Sequence, residues 1–165
     1  MSRRTDYTVA KVLHWIAACL IGFNLLSAWK LSSFAQDIKE VLVMIHSGVG
    51  VTILLLMLAR LWWRSSRHLY TPRGWYRRPS MLLQYAFYPL VILQVILGVI
   101  QAGFSDYDVL AFGVINISAL AESNQTLREL FLSLHALTAV TLMLMVVAHG
   151  LERYRAIFTD PATAG

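Results

Sequence analysis

The stretch that decides the fold is Leu130–Leu151, LFLSLHALTAVTLMLMVVAHGL. It contains no Asp, Glu, Lys or Arg. At about 1.5 Å per residue it is long enough to cross roughly 30 Å of hydrocarbon. Its only ionisable side chains are His135 and His149. Three other runs share this character: Val12–Trp29, Val41–Ala59 and Pro79–Ser105 also lack all four charged residue types. A buried helix in a soluble protein is rarely so long and so free of charge. The four runs predict an all-α, four-helix transmembrane bundle. It forms a single membrane domain over residues 1–165, with spans at about 12–31, 41–63, 80–104 and 129–151.

Composition agrees. Hydrophobic residues make up 58% of the chain and charged residues 14%, against roughly 45–50% and about 25% in soluble domains. Mean hydropathy is +0.60. These values exclude a disordered chain and argue against a water-soluble domain. The lone Cys19 excludes a disulfide framework, a Cys-based zinc site and covalent haem attachment through C-x-x-C-H, and reads as a small apolar filler. The first run is longer than the apolar core of a signal peptide and ends in Ser27-Ala28-Trp29-Lys30, without an A-x-A site. It is expected to be a retained helix.

The net charge of +5 raises the question of nucleic acid, and the placement of the cations answers it. With the N-terminus inside, one face of the membrane carries Arg3, Arg4, Lys11, Arg60, Arg64, Arg67, Arg73, Arg77, Arg78, Arg153 and Arg155. The other carries only Lys30, Lys39 and Arg128, with the acids Asp37, Glu40, Asp106, Asp108, Glu122 and Glu129. This positive-inside bias predicts both termini in the cytoplasm. The basic character then reflects topology and contact with membrane lipid, and no nucleic-acid partner is expected. Trp15, Trp29, Trp62, Trp63, Trp75, Tyr7 and Tyr70 fall mostly near the interfaces, as an aromatic belt would. Of the two long connections, one holds Pro72-Arg73-Gly74 as a turn signal. The other, Phe104–Leu127, has a strand-like or irregular look around Phe112-Gly113.

Four of the five histidines, His14, His46, His135 and His149, lie inside the apolar spans, where an ionisable residue is costly and marks a candidate site. His68 falls in the arginine-rich connection and is expected to be solvated. Threading the spans up and down pairs His14 with His149 and His46 with His135 by depth. The fourteen residues from His135 to His149 return to nearly the same helix face with a rise of about 21 Å. Two imidazoles facing across a bundle suit the axial positions of a haem b iron, so two b haems are expected. Zinc would want three or four ligands, and a proton relay would want Asp or Glu at depth. A hydrogen-bonded core histidine is the alternative for any one of the four taken alone.

Other residues carry two readings each. Ser47, Gly48 and Gly50 follow His46, and Ala136 and Ala139 follow His135. These small residues suit a haem pocket, with Gly48 a candidate contact, and equally suit helix–helix packing. Arg60, fourteen residues after His46, is either a haem-propionate partner or a snorkelling interfacial arginine. Lys39 and Arg128 lie seven residues before His46 and His135. They are either candidate catalytic cations that attract an anion to the outer haem edge or hold its propionates, or they are ordinary helix-end charges.

Together these residues resemble the bacterial cytochrome b561 family over almost the whole chain. Leu13-His14-Trp15-Ile16-Ala17 is similar to its first ligand motif. Ile45-His46-Ser47-Gly48-Val49-Gly50 with Ala59-Arg60-Leu61-Trp62-Trp63-Arg64 resembles its second helix. Phe87-Tyr88 with Gly98 resembles its third, Phe112-Gly113 its outer loop, and the His135–His149 spacing its fourth helix. The resemblance implies two bis-histidine b haems and electron exchange with the quinone pool. For some members it implies superoxide oxidation at the periplasmic face with ubiquinone reduction. For others it implies an electron conduit serving a periplasmic or membrane oxidoreductase partner. The departures are Gln84 in place of a histidine, Val95 and Ile117 in place of prolines, and Ala156-Ile157 in place of a His-His pair. None of them alters the four histidines themselves.

Overall fold

The computed structural model describes residues 3–29, 34–66 and 74–159. Four long helices dominate: α1, Arg3–Trp29; α2, Gln36–Ser66; α3, Pro79–Gly103; and α4, Gln125–Thr159. Each is long and apolar enough to cross a membrane. The helices run past the apolar runs, with α1 beginning at Arg3 and α4 ending at Thr159, because polar end turns continue a helix once the apolar segment has established it. Residues 30–33, where the first span was expected to finish, and the turn at Pro72-Arg73 lie outside the described residues.

Local signals set the helix ends. Pro79 opens α3, where its missing N–H is no loss. The Asn124 side-chain oxygen accepts the Leu127 N–H at 3.1 Å and caps α4. Pro89 lies inside α3, as spanning helices tolerate when neighbours re-satisfy the freed carbonyl.

The helices alternate in direction. The Trp63 indole N–H donates to the Asp6 main-chain oxygen at 3.4 Å, joining the end of α2 to the start of α1. The Arg64 guanidinium sits 4.2 Å from the centre of the Tyr85 ring, joining the end of α2 to the start of α3. Phe104 at the end of α3 stacks on Phe131 near the start of α4, so the starts of α1 and α3 and the ends of α2 and α4 share one end of the bundle, the terminus end. The opposite end is the hairpin end. α4 packs chiefly on α3, and α1 on α2. All four helices meet in a core of Ala17, Ile53, Met57, Tyr88, Val91 and Leu142.

Outside that core the surface stays apolar: Leu26, Leu55, Leu137 and Leu144 are more than three-fifths exposed. In water such leucines would be costly. In lipid they face their natural solvent, and burial of an apolar stripe is not what orients these helices.

Between α3 and α4 the chain makes a small antiparallel hairpin, β1 (Leu110–Ala111) with β2 (Ile115–Asn116), Ala111 opposite Ile115. Its tip needs positive φ at Phe112 (54°) and Gly113 (72°). The strand-like reading of this loop is borne out. Ala111 and Ile117 pack with Val109 and Ala102, and the Ser47 hydroxyl donates to the Leu110 carbonyl at 3.1 Å. The hairpin thus folds over the first half of α2, at Ser47 and Gly48, rather than standing free in solvent.

Candidate haem-binding sites

The depth pairing of the histidines is reproduced in three dimensions. The His14 and His149 rings face each other with centroids 6.3 Å apart and planes at 78°. His46 and His135 do the same at 6.3 Å and 75°. Among the described residues no third His, Cys, Asp or Glu joins either pair to make a larger metal-ligating group.

The separation can be tested against a ligand set. A metal–imidazole bond of about 2.0 Å, and about 1.2 Å from ring nitrogen to ring centre, place two axial imidazoles about 6.4 Å apart. Both pairs match that spacing, so the residues present fit an iron held between two imidazoles. His149 adds an orphan: its Nδ1 is buried with no hydrogen-bond partner among the described residues. A buried polar atom left this way is costly in a core histidine.

The surroundings of the two pairs differ. At the hairpin end, His135 Nδ1 lies 2.9 Å from the Gln94 main-chain oxygen, and Nε2 lies 3.1 Å from the Gln94 carboxamide nitrogen. A carbonyl only accepts, so Nδ1 carries the proton and Nε2 holds the lone pair of a neutral ring. The amide orientation follows, with its NH2 toward Nε2 and its oxygen accepting from the Thr138 hydroxyl. Gly98 makes this approach possible, since a Cβ there would lie 2.9 Å from His135 Cε1.

At the terminus end the neighbours are aromatic. Trp15 is tilted 5.6 Å from the His14 ring, and Phe87 meets His149 edge-on at 5.9 Å. Arg60 is half-buried, with its guanidinium 5.7 Å from the centre of the Tyr88 ring. It packs against α3 at this end of the bundle.

The other candidates fall at the hairpin end. Gly48 is buried beneath the hairpin tip, where a Cβ would lie 2.9 Å from the Phe112 ring and 3.1 Å from its main-chain nitrogen. Its immediate partner is the hairpin that closes this end. Lys39 is exposed. Arg128 is half-buried and donates to the Tyr107 hydroxyl at 3.1 Å. His68 lies outside the described residues.

The model of prokaryotic cytochrome b561 matches residues 7–153, spanning all four histidines. The chain belongs to the prokaryotic cytochrome b561 family. No curated protein matches it in sequence. As a cytochrome b561 it is a multi-pass bacterial membrane protein that binds haem b and transfers electrons within the membrane, in contact with lipid and redox partners.

Sequence reasoning passed over Gln94, Thr138 and Phe87 as neighbours of the ligands in this cytochrome. Gln94 carried a legible signal, a carboxamide in the middle of an apolar span, where polar groups need partners. Thr138 carried none, because one more hydroxyl in such a span is unremarkable, and Phe87 was legible only within the Phe87-Tyr88 motif of the family resemblance.

Proposed function

We propose that this cytochrome b561 holds two b haems, one between His14 and His149 and one between His46 and His135, and carries electrons across the bacterial inner membrane to or from the quinone pool. The observation that supports this most strongly is the pair of equal 6.3 Å ring separations at two depths. Bound haem would supply one-electron chemistry at its iron, between the ferric and ferrous states. The four histidines would hold the iron through neutral imidazole nitrogens. Arg60 would meet a propionate at the terminus end. Gly48 would let the hairpin close over the pocket at the other end.

At the hairpin face the proposed reaction is oxidation of superoxide. Each anion gives up one electron and leaves as dioxygen, and two such electrons with two protons reduce one ubiquinone. Lys39 and Arg128 would draw the anion in. The second reading is an electron-transfer subunit for a separate periplasmic or membrane oxidoreductase. It is favoured by the engagement of Arg128 with Tyr107, which leaves Lys39 as the more accessible of the two cations.

Pyridine-haemochrome analysis of the purified wild-type protein tests the ligand assignment, with two non-covalent b haems per chain expected. A ratio of zero or one in intact protein contradicts it. The cation distribution also supports both termini in the cytoplasm. Reporters fused after Gly165 and within residues 106–118 are expected to mark opposite sides, and the same side for both would refute the orientation.

A further inference from the structure

We infer that the main-chain oxygen of Gln94 is the built-in hydrogen-bond acceptor for His135 and that Gly98 is the residue that admits it. Together they fix the tautomer and orientation in which His135 meets iron. The inference rests on the bis-histidine reading above. It goes beyond it by assigning a positioning role in α3, a helix that supplies no ligand.

Three observations carry it. His135 Nδ1 stands 2.9 Å from the Gln94 oxygen, a good charge-neutral hydrogen bond. The ring lies so close to α3 at Gly98 that an added Cβ would come within 2.9 Å of Cε1 and 3.3 Å of Nδ1. Any side chain there pushes the ring off the carbonyl. Third, among the described residues the α4 counterpart His149 has no such partner on its buried Nδ1. The acceptor therefore distinguishes the two histidines of α4.

The consequence for the ligand is chemical. A proton fixed on Nδ1 leaves the Nε2 lone pair free for metal, and donation of that proton to a carbonyl makes the imidazole a more basic ligand. A more basic ligand favours ferric over ferrous iron. The Gln94 carboxamide plays a separate part. It rests on Nε2 at 3.1 Å and on Thr138, and iron held at Nε2 would take its place on the ring. The main-chain bond survives that exchange.

The test uses the haem-loaded protein in membranes or detergent. Gly98→Ala should move the midpoint potential of the hairpin-end haem to a more positive value. It should shift the low-spin EPR signal of that haem alone, with both haems retained and the other potential unchanged. Gln94→Leu removes the carboxamide but not the carbonyl, and should leave both potentials near wild type. Gly22→Ala, at a helical glycine with open space around it, controls for the methyl itself. An unchanged potential in Gly98→Ala, or a shift in Gln94→Leu as large as in Gly98→Ala, overturns the inference. Should Gly98→Ala not fold, proton ENDOR of the oxidised wild type decides. A His135 Nδ1 proton donated to oxygen is expected, and an imidazolate or an undonated N–H overturns it. His135→Ala separates this from the parent reading. Retention of both haems there refutes bis-histidine ligation, whereas loss of one haem with an unmoved Gly98→Ala potential refutes only the role of α3.

Discussion

The two histidine pairs share a ring separation and little else. At the terminus end the rings are walled by Trp15 and Phe87, and Arg60 leans on the ring of Tyr88. At the hairpin end His135 is hydrogen-bonded to α3, and a folded loop seals the bundle over Gly48. One site is shaped by apolar packing and the other by directed polar contacts. The histidines are therefore a symmetric set in an asymmetric scaffold, and under the two-haem proposal the scaffold is where haems of like ligation would acquire different properties.

The strongest way to break the comparison is to remove one imidazole at a time. His46→Ala and His135→Ala should each lower the haem content from two per chain to one, losing the hairpin-end haem. His14→Ala and His149→Ala should each lose the other. Spectra of the surviving haem should agree within each pair and differ between pairs. A His46→Ala protein that lost only the terminus-end haem would destroy the pairing.

A smaller effect sharpens the contrast in how the ends are closed. Gly48→Val forces bulk into a space already filled by Phe112, with contacts of 2.9 and 3.1 Å for the first added carbon alone. Overpacking of this kind typically costs about 1–3 kcal/mol. The hairpin should lift, and thermal loss of the hairpin-end haem should begin at lower temperature while the terminus-end haem is unaffected. Followed by absorbance, the melt should change from one step to two. Equal destabilisation of both haems would show that the hairpin supports the whole bundle rather than one end.

These contrasts were unequally legible in the sequence. The four spans and the depth pairing were readable because charge exclusion and helical rise act along the chain: the fourteen residues between His135 and His149 fix both face and depth. The strand-like or irregular look around Phe112-Gly113 was readable too, and the structure makes it a hairpin. What it packs on was not. Gly48 fits a haem pocket and a helix contact equally well, and only the fold shows the Phe112 ring above it. Gln94 was hidden for a different reason. Its decisive group is a main-chain carbonyl, which every residue has, and its availability depends on Gly98 one turn later. Contacts made by backbone atoms leave almost no trace in residue identity.

The smallest effect concerns the hairpin face and its anion chemistry. Lys39 and Arg128 were singled out by their spacing from His46 and His135, but the structure distinguishes them. Lys39 is exposed, whereas Arg128 is half-buried on Tyr107, its guanidinium 5.3 Å from the ring centre. If superoxide is steered to this face, Lys39→Gln should slow haem reduction at low salt more than Arg128→Gln, because the freer charge projects further into solvent. The surrounding acids oppose steering, so the net gain is local, on the order of two- to tenfold, at the low end of electrostatic rate effects. It should fade as ionic strength rises and the screening length falls to about 8–10 Å. Rapid mixing of the oxidised protein with superoxide across a salt series measures this directly, with both haems confirmed in each variant. A salt-sensitive rate that drops in Lys39→Gln supports the oxidase reading. Negligible reduction by superoxide, beside rapid reduction by a quinol or a periplasmic donor, assigns the hairpin face to a partner protein instead.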